Sequence, residues 1–167
     1  DNKLTSLMRS GGGQPATSSS FTYDLLDRIT GYTENSFSPP NNTVAYAYDA
    51  LSRMTNMTYP GNKNLVHAYD ALGRLVSQTD WAGRQTSYLY DRANRLTSRT
   101  YPNGIVQTNS FDSAGRLTGL NYLTTGTNAL FALAYAYDRN GNKTSSSEKG
   151  ALAWSVPAAY DETVRYT

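Results

Sequence analysis

Polar and apolar residues alternate along most of this chain, which is the pattern of β-strands with one face more exposed than the other. Residues 43–49 (TVAYAYD), 64–70 (NLVHAYD) and 85–91 (QTSYLYD) show the alternation and end in Tyr-Asp. Each is followed, after a short turn, by a second strand-like segment such as residues 74–80 (RLVSQTD). Gly, Pro, Thr, Ser and Asn occur throughout and disfavour helices. The pattern therefore predicts an all-β chain, a meander of antiparallel β-hairpins.

The hairpins repeat one motif, which has its most regular copy at residues 69–75 (YDALGRL). Copies begin at residues 23, 48, 69, 90, 111, 137 and 160, so successive starts differ by 25, 21, 21, 21, 26 and 23 residues. All length variation falls between copies, as expected when insertions collect in the loops at one edge of a meander. We therefore predict that residues 1–167 form one array of about seven repeats, which is a piece of a longer repeat protein.

Four segments depart from the regular repeat. Residues 10–20 (SGGGQPATSSS) are interpreted as a long hairpin loop, with a flexible linker as the alternative. Residues 34–42 and 124–128 are interpreted as further expanded loops. The last unit, residues 143–167, is the least regular, and Pro157 would weaken a central strand there.

The residue types of the motif suit a tight turn between two strands. Aspartate can accept hydrogen bonds from the backbone N–H groups of a turn, and arginine four residues later can return to that carboxylate or stack on a ring. Glycine supplies a positive φ angle, which asparagine also tolerates. We therefore predict a structural role for these motif residues: Tyr23, Asp24, Arg28, Tyr48, Asp49, Arg53, Tyr69, Asp70, Gly73, Arg74, Tyr90, Asp91, Arg95, Phe111, Asp112, Gly115, Arg116, Tyr137 and Asp138. Asp161 and Arg165 have the same spacing in the last copy.

The motif tyrosine and the residue two positions before it point to the same face of a strand. The second position holds Phe21, Tyr46, His67, Tyr88, Asn109 and Tyr135. Stacked repeats would therefore carry two parallel ladders of mostly aromatic side chains, with about 0.2–1 kcal/mol from each cross-strand pair. The aspartates could instead form a row of metal or ligand sites, but one carboxylate beside an arginine is a poor cation site.

Composition narrows the possible functions. The net charge is +2 with no Lys/Arg run, which argues against a nucleic-acid partner. Cysteine is absent, which removes disulfides and thiolate chemistry. No stretch is long and apolar enough to span a membrane as a helix. His67, the only histidine, lies in a ladder position, and we interpret it as a stacked structural residue. We expect no catalytic residues, no metal and no cofactor.

The YDxxGRL core, its spacing of about 21 residues and the intervening Pro-Asn-Gly turn at 102–104 resemble the Rhs/YD-repeat family. That family includes bacterial Rhs toxins, shell subunits of insecticidal toxin complexes, cell-wall-associated proteins and teneurins. The resemblance implies a curved or spiralling hairpin sheet that forms part of a shell, tube or fibre. It further implies a secreted or cell-surface location in bacteria. The family's self-cleavage segment ends in Asp-Pro, a dipeptide that this chain lacks, so autoproteolysis is not implied.

These observations leave three functional hypotheses. The first is a structural segment of a shell or fibre, whose partners are further YD repeats or other copies of the chain, and which could enclose a toxin domain. The second is a module that binds surface glycan or cell wall. It is weakened because the two tryptophans, Trp81 and Trp154, do not recur with the repeat. The third is an enzyme, which we disfavour because no acid/base cluster stands outside the repeats.

Overall fold

A computed structural model of the chain describes residues 3–11, 14–35, 42–124, 129–151 and 159–165. Within these residues the regular secondary structure consists of β-strands alone, each paired antiparallel with its neighbour in sequence inside two compact units, Asp1–Arg84 and Gln85–Thr167. The predicted all-β meander of hairpins is confirmed. The centres of the predicted expanded loops, residues 36–41 and 125–128, lie outside the described residues, as do Trp154 and Pro157.

The first unit contains seven strands in the order of the chain. They are β1 (Ser6–Gly11), β2 (Gln14–Tyr23), β3 (Ile29–Asn35), β4 (Asn42–Tyr48), β5 (Met54–Tyr59), β6 (Lys63–Tyr69) and β7 (Leu75–Thr79). The turns that carry the motif join β2 to β3, β4 to β5 and β6 to β7, so each copy closes one hairpin.

The second unit repeats this arrangement. Its strands are β8 (Gln85–Tyr90), β9 (Leu96–Thr100), β10 (Val106–Phe111), β11 (Leu117–Leu123), β12 (Ala129–Tyr137), β13 (Lys143–Ala151) and β14 (Ala159–Arg165). The motif turns join β8 to β9, β10 to β11 and β12 to β13. In every motif hairpin of both units the register shifts at the motif tyrosine or phenylalanine, which marks a β-bulge beside the turn.

The alternation in the sequence corresponds to the two faces of each strand. In β4, Val44, Tyr46 and Tyr48 are half-buried, whereas Thr43, Ala45 and Ala47 are more exposed. The half-buried face carries the rings of the motif and of the position two residues before it. We call it the aromatic face.

The part of the sheet that the structure describes has no conventional hydrophobic core. Among the described residues no hydrophobic side chain is buried, and Gln107 is the buried polar one, at 8% exposure. Leu51 and Leu72, at the tips of motif turns, are each 72% exposed. Since little apolar area is removed from water, contacts within the sheet must supply much of the stabilisation.

The structure differs from the sequence-based interpretation at residues 10–20. Most of this segment belongs to β2, which pairs with β1 through Leu7↔Ser19 and Met8↔Ser18. Serine and threonine are compatible with a strand when its neighbours supply backbone partners, and here β2 has β1 on one side and β3 on the other. The composition typical of a loop was therefore overridden by strand pairing.

The structure also differs at the last copy of the motif. The Tyr-Asp of residues 160–161 predicts the start of a turn, but these residues lie inside β14, where Asp161 pairs with Lys149. Asp161 and Arg165 are therefore separated along an extended strand. The fourth position of the turn is Val164 in this copy, and a β-branched residue is strongly disfavoured at the positive φ angle that the turn requires.

Candidate functional site

The candidate site is the motif turn, which has closely similar geometry in the described motif hairpins and is most regular at residues 70–74. Asp70 N donates to Arg74 O at 2.9 Å, and Gly73 N donates to Asp70 O at 3.0 Å. The Asp70 carboxylate completes the loop, since its Oδ1 accepts from Leu72 N and from Arg74 N, each at 2.9 Å. One side chain thus satisfies two backbone donors that the turn would otherwise leave unpaired.

The fourth residue of the turn adopts a left-handed conformation. Gly73, Gly115 and Gly141 have φ angles of 81°, 84° and 90°, and Asn94 has 62°. Asp27 and Ser52 occupy the same position at 65° and 62°, which the sequence analysis did not predict. The backbone requirement therefore holds even where the sequence lacks glycine, at a cost in local strain.

The motif arginine closes the turn from outside. Arg53 Nε donates to Asp49 Oδ2 at 2.6 Å. The Arg53 backbone N–H, and after it the guanidinium, hold the pKa of Asp49 below its usual value, although partial burial opposes the shift. The same Nε–Oδ2 hydrogen bond, at 2.7 Å, occurs in these pairs: Asp24–Arg28, Asp70–Arg74, Asp91–Arg95 and Asp112–Arg116.

The guanidinium also contacts the following repeat. Arg53 Cζ lies 4.8 Å from the centre of the Tyr69 ring, and its Nη1 donates to Asp70 O at 3.3 Å. The equivalent ring contacts are Arg28 with Tyr48 at 4.7 Å, Arg95 with Phe111 at 4.5 Å and Arg116 with Tyr137 at 4.8 Å. Each of these arginines thus makes one ion pair within its own turn and one cation–π contact with the next.

The tyrosine hydroxyl returns a hydrogen bond to the preceding repeat. Tyr69 Oη donates to Met54 O at 2.8 Å, which is the carbonyl of the residue directly after Arg53. The equivalent bonds are Tyr23 to Leu4 O at 2.9 Å, Tyr48 to Ile29 O at 2.8 Å and Tyr137 to Leu117 O at 2.8 Å. We call the combination of the guanidinium–ring contact and this hydroxyl–carbonyl bond the inter-repeat contact.

Phe111 lacks the hydroxyl, and a neighbouring side chain replaces it. Asn109 Nδ2 donates to Leu96 O at 2.9 Å, the carbonyl that a tyrosine at position 111 would reach. Asn109 occupies the position that holds an aromatic residue in most other repeats. The two departures from the repeat pattern therefore compensate each other, a relation that the sequence analysis missed.

The sequence predicts ladders in which the aromatic rings of successive repeats contact each other, but in the structure the motif rings are too far apart for this. Motif rings of successive repeats, such as Tyr48 and Tyr69, lie on β4 and β6, with β5 between them. Two strand spacings amount to about 9.6 Å, which is too far for direct ring contact. The motif arginine fills this gap, so the ladder alternates rings and guanidinium groups.

Two turns extend or modify the pattern. Residues 80–84 form the same closed turn without a tyrosine, with Arg84 Nε donating to Asp80 Oδ2 at 2.7 Å. Its sequence, DWAGR, has the Asp-x-x-Gly-Arg spacing of the motif, which the sequence analysis did not single out. In the turn at residues 138–142, Asn142 replaces arginine and donates from Nδ2 to Asp138 Oδ2 at 2.9 Å.

His67 lies on the aromatic face of β6, opposite Gln78 of β7. Its Nδ1 is inaccessible and has no hydrogen-bond partner, and burial lowers the pKa of the imidazole below 6.5.

In the described residues no group of three or more His, Asp or Glu side chains is arranged to hold a metal ion. Nor do these residues include a helix long and apolar enough to cross a bilayer.

Residues 69–106 match the family model of the RHS Repeat, which confirms the resemblance carried by the motif. The match includes the copies that begin at residues 69 and 90. No curated protein sequence matches the chain.

Solved structures of toxin complexes share the fold. The crystal structure of TcdB2-TccC3-Cdc42 superposes with a TM-score of 0.71 at 13% identity, over 89% of this chain and 9% of that one. The crystal structure of TcdB2-TccC3 gives 0.66 at 17% identity, over 86% and 9%. A Photorhabdus luminescens Tc holotoxin pore gives 0.67 at 17% identity, over 82% and 8%. At these identities the likeness shows the fold alone, and this chain spans less than a tenth of each of those chains.

The inter-repeat contact can be measured by comparing two arginines that share the same turn chemistry. Arg53 contacts Tyr69 and is 26% exposed, whereas Arg84, at 61%, has only Asp80 within the described residues. We expect Arg53→Ala to lower the free energy of unfolding by about 1 kcal/mol more than Arg84→Ala. Urea denaturation followed by circular dichroism would give the difference. Equal losses would show that the turn ion pair alone matters.

Burial of His67 predicts a pH-dependent stability. Because its pKa is lower in the folded than in the unfolded chain, the unfolded state binds a proton first as the pH falls through about 6.5. The wild-type urea midpoint should therefore decrease between pH 7.5 and 5.5. In His67→Tyr, which introduces the residue found at positions 46, 88 and 135, the midpoint should stay constant over this range. Hydrogen bonds in the turns hold the pKa of Asp24, Asp49 and Asp70 below 3.8, so these carboxylates stay ionised over this range. A parallel decrease in both proteins would refute the assignment.

Proposed function

We propose that this chain is a structural segment of a shell or fibre built from Rhs/YD repeats, located outside the cell or on its surface. The observation that carries the proposal is the inter-repeat contact. The motif arginine, tyrosine and aspartate have the side chains best suited to catalysis or ligand binding. In this structure they hold one hairpin to the next. A residue set used in this way supports assembly in preference to catalysis, so we propose that the segment is not an enzyme.

Each motif repeat makes part of its stabilising contacts with the repeats before and after it. The Tyr48 ring contacts the guanidinium of Arg28 in the preceding repeat, and the Tyr69 ring contacts that of Arg53. Such nearest-neighbour stabilisation is typical of elongated repeat proteins, in which hairpins continue until an end is capped. The partners that we propose are therefore further YD repeats of a longer chain or other copies of this one. Curvature of the longer array into a shell could enclose a toxin domain.

A modular array should tolerate the removal of one whole repeat. Deletion of residues 69–89 joins Ala68 to Tyr90 and removes one 21-residue period, since copies start at 69 and 90. We expect the shortened chain to keep its β-sheet spectrum and cooperative unfolding. Deletion of residues 69–88 is the matched control, because one extra residue moves the Tyr90 ring to the opposite face.

Assembly should be measured on the same proteins by light scattering after size exclusion, over a range of concentrations, with negative-stain images. Growth of the wild type and the 21-residue deletion into rings, tubes or fibres would support a building block that assembles with itself. Equal loss of structure in both deletions would contradict the modular scaffold.

One observation favours glycan binding as a second candidate. Trp81, in the turn at residues 80–84, is 52% exposed and lies edge-on to Tyr59 at 6.4 Å, with Lys63 Nζ 5.4 Å from its ring. Exposed aromatic rings of this kind can stack on sugars. Binding of purified cell-wall sacculi by the wild type, with at least tenfold weaker binding by Trp81→Ala, would support this role. Absence of binding by the wild type would remove it.

A further inference from the structure

Arg99 departs from the pattern of the repeats. It lies on β9 four residues after the motif arginine Arg95. The same position in the other regular repeats holds uncharged residues: Tyr32, Met57, Gln78 and Leu120. A cation at the centre of the aromatic face is therefore not required by the hairpin fold.

The neighbours of Arg99 are tyrosines and amides. Tyr88 of β8 and Gln107 of β10 lie opposite it in register. Its Cζ is 5.3 Å from the centre of the Tyr88 ring, and its Nη1 donates to Tyr101 Oη at 3.2 Å. Tyr101 Oη donates in turn to Gln107 Oε1 at 3.3 Å. The guanidinium is thus held in one orientation on the aromatic face.

The charge of Arg99 has no counter-charge in the part of the chain that the structure describes. Each arginine of the regular motif turns pairs with its own aspartate, whereas no described carboxylate forms an ion pair with Arg99. Its Nε is inaccessible and has no hydrogen-bond partner. The hydrogen bond with Tyr101 raises the pKa of Arg99 further, so the group stays charged. A partly desolvated cation without an anion is unfavourable unless a partner supplies one.

A row of side chains continues from Arg99 across the sheet and ends in two aromatic rings. Arg99, Gln107, Tyr122 and Phe131 are paired in register on four consecutive strands, β9 to β12. The Tyr122 and Phe131 rings lie 6.3 Å apart. With strands about 4.8 Å apart, the row extends about 14 Å from Arg99 to Phe131, which equals about four residues of an extended peptide.

We propose that this row binds an extended polypeptide segment that presents an Asp or Glu carboxylate to Arg99 and an apolar side chain, about four residues away, to Tyr122 and Phe131. The carboxylate supplies the counter-charge, and the apolar side chain covers the two rings. The proposal does not depend on the chain forming a shell.

A polypeptide fits this row better than an acidic sugar does. Gln107 Nε2 donates to Asn109 Oδ1 at 3.1 Å, and Asn109 Nδ2 donates to Leu96 O at 2.9 Å. These amide groups are thus engaged within the protein and have limited capacity to bind the hydroxyl groups of a sugar. The end of the row at Phe131 offers an apolar ring, which suits an aliphatic or aromatic side chain.

Binding can be tested on the 167-residue chain with two blocked heptapeptides. One is acetyl-Thr-Glu-Thr-Ser-Thr-Phe-Thr-amide, and the other has Gln in place of Glu. We expect the wild type to bind the Glu peptide at least roughly tenfold more tightly than the Gln peptide, as measured by NMR titration. Arg99→Gln should lose a similar factor for the Glu peptide. The fold should persist because Gln78 occupies the same position, and Arg99→Met, which introduces the residue type found at Met57, provides a second variant.

Arg92→Gln is the matched control, because Arg92 is an exposed arginine of the same unit and the charge change is identical. It should bind the Glu peptide like the wild type. The proposal would be overturned by equal losses in the Arg92 and Arg99 variants, by equal affinity for the two peptides, or by no binding at millimolar peptide. Tighter binding of oligomeric glucuronic acid than of the Glu peptide would also overturn it, in favour of a saccharide.

Discussion

The described repeats depend on a guanidinium group that contacts two successive turns at once. Arg53 bonds to the Asp49 carboxylate in its own turn and covers the Tyr69 ring of the next. The arginine side chain suits this position because its planar, permanently charged end can donate to a carboxylate at its edge and cover a ring with its face. A lysine could supply the charge, as Lys3 does over Tyr23, but not the directional hydrogen bonds to both repeats.

This contact takes over part of the role that a hydrophobic core has in globular domains. No hydrophobic side chain in the described residues is buried, and turn leucines such as Leu72 are exposed to solvent. Cross-strand pairs, cation–π contacts and hydroxyl–carbonyl bonds are each worth about 1 kcal/mol or less, so stability must accumulate with the number of repeats. The substitution of Asn109 and Phe111 for the usual aromatic pair shows that one contact can change its chemistry while the carbonyl of Leu96 stays satisfied.

The residues that depart from the repeat pattern fall into two groups, structural residues and candidate binding residues. His67 and Gln78 are accommodated within the aromatic face without charge, and Asn142 keeps the turn closed without arginine. Arg99 is different, since the fold does not need its charge and the described residues do not neutralise it. Trp81 is likewise dispensable for the turn at residues 80–84, whose closure rests on Asp80 and Arg84.

The sequence by itself determined the strands, the turn chemistry and the repeat length, because alternation and the Asp-x-x-Gly-Arg pattern act over a few neighbouring residues. The local sequence pattern did not predict the secondary structure of segments whose conformation depends on pairing with strands elsewhere in the chain. Strand β2 formed in a Gly/Ser-rich segment because β1 and β3 supply its partners, and Asp161 lies within β14 opposite Lys149. Only the tertiary structure decided that arginine separates successive rings, since the spacing between non-adjacent strands, about 9.6 Å, is not encoded in the order of residues.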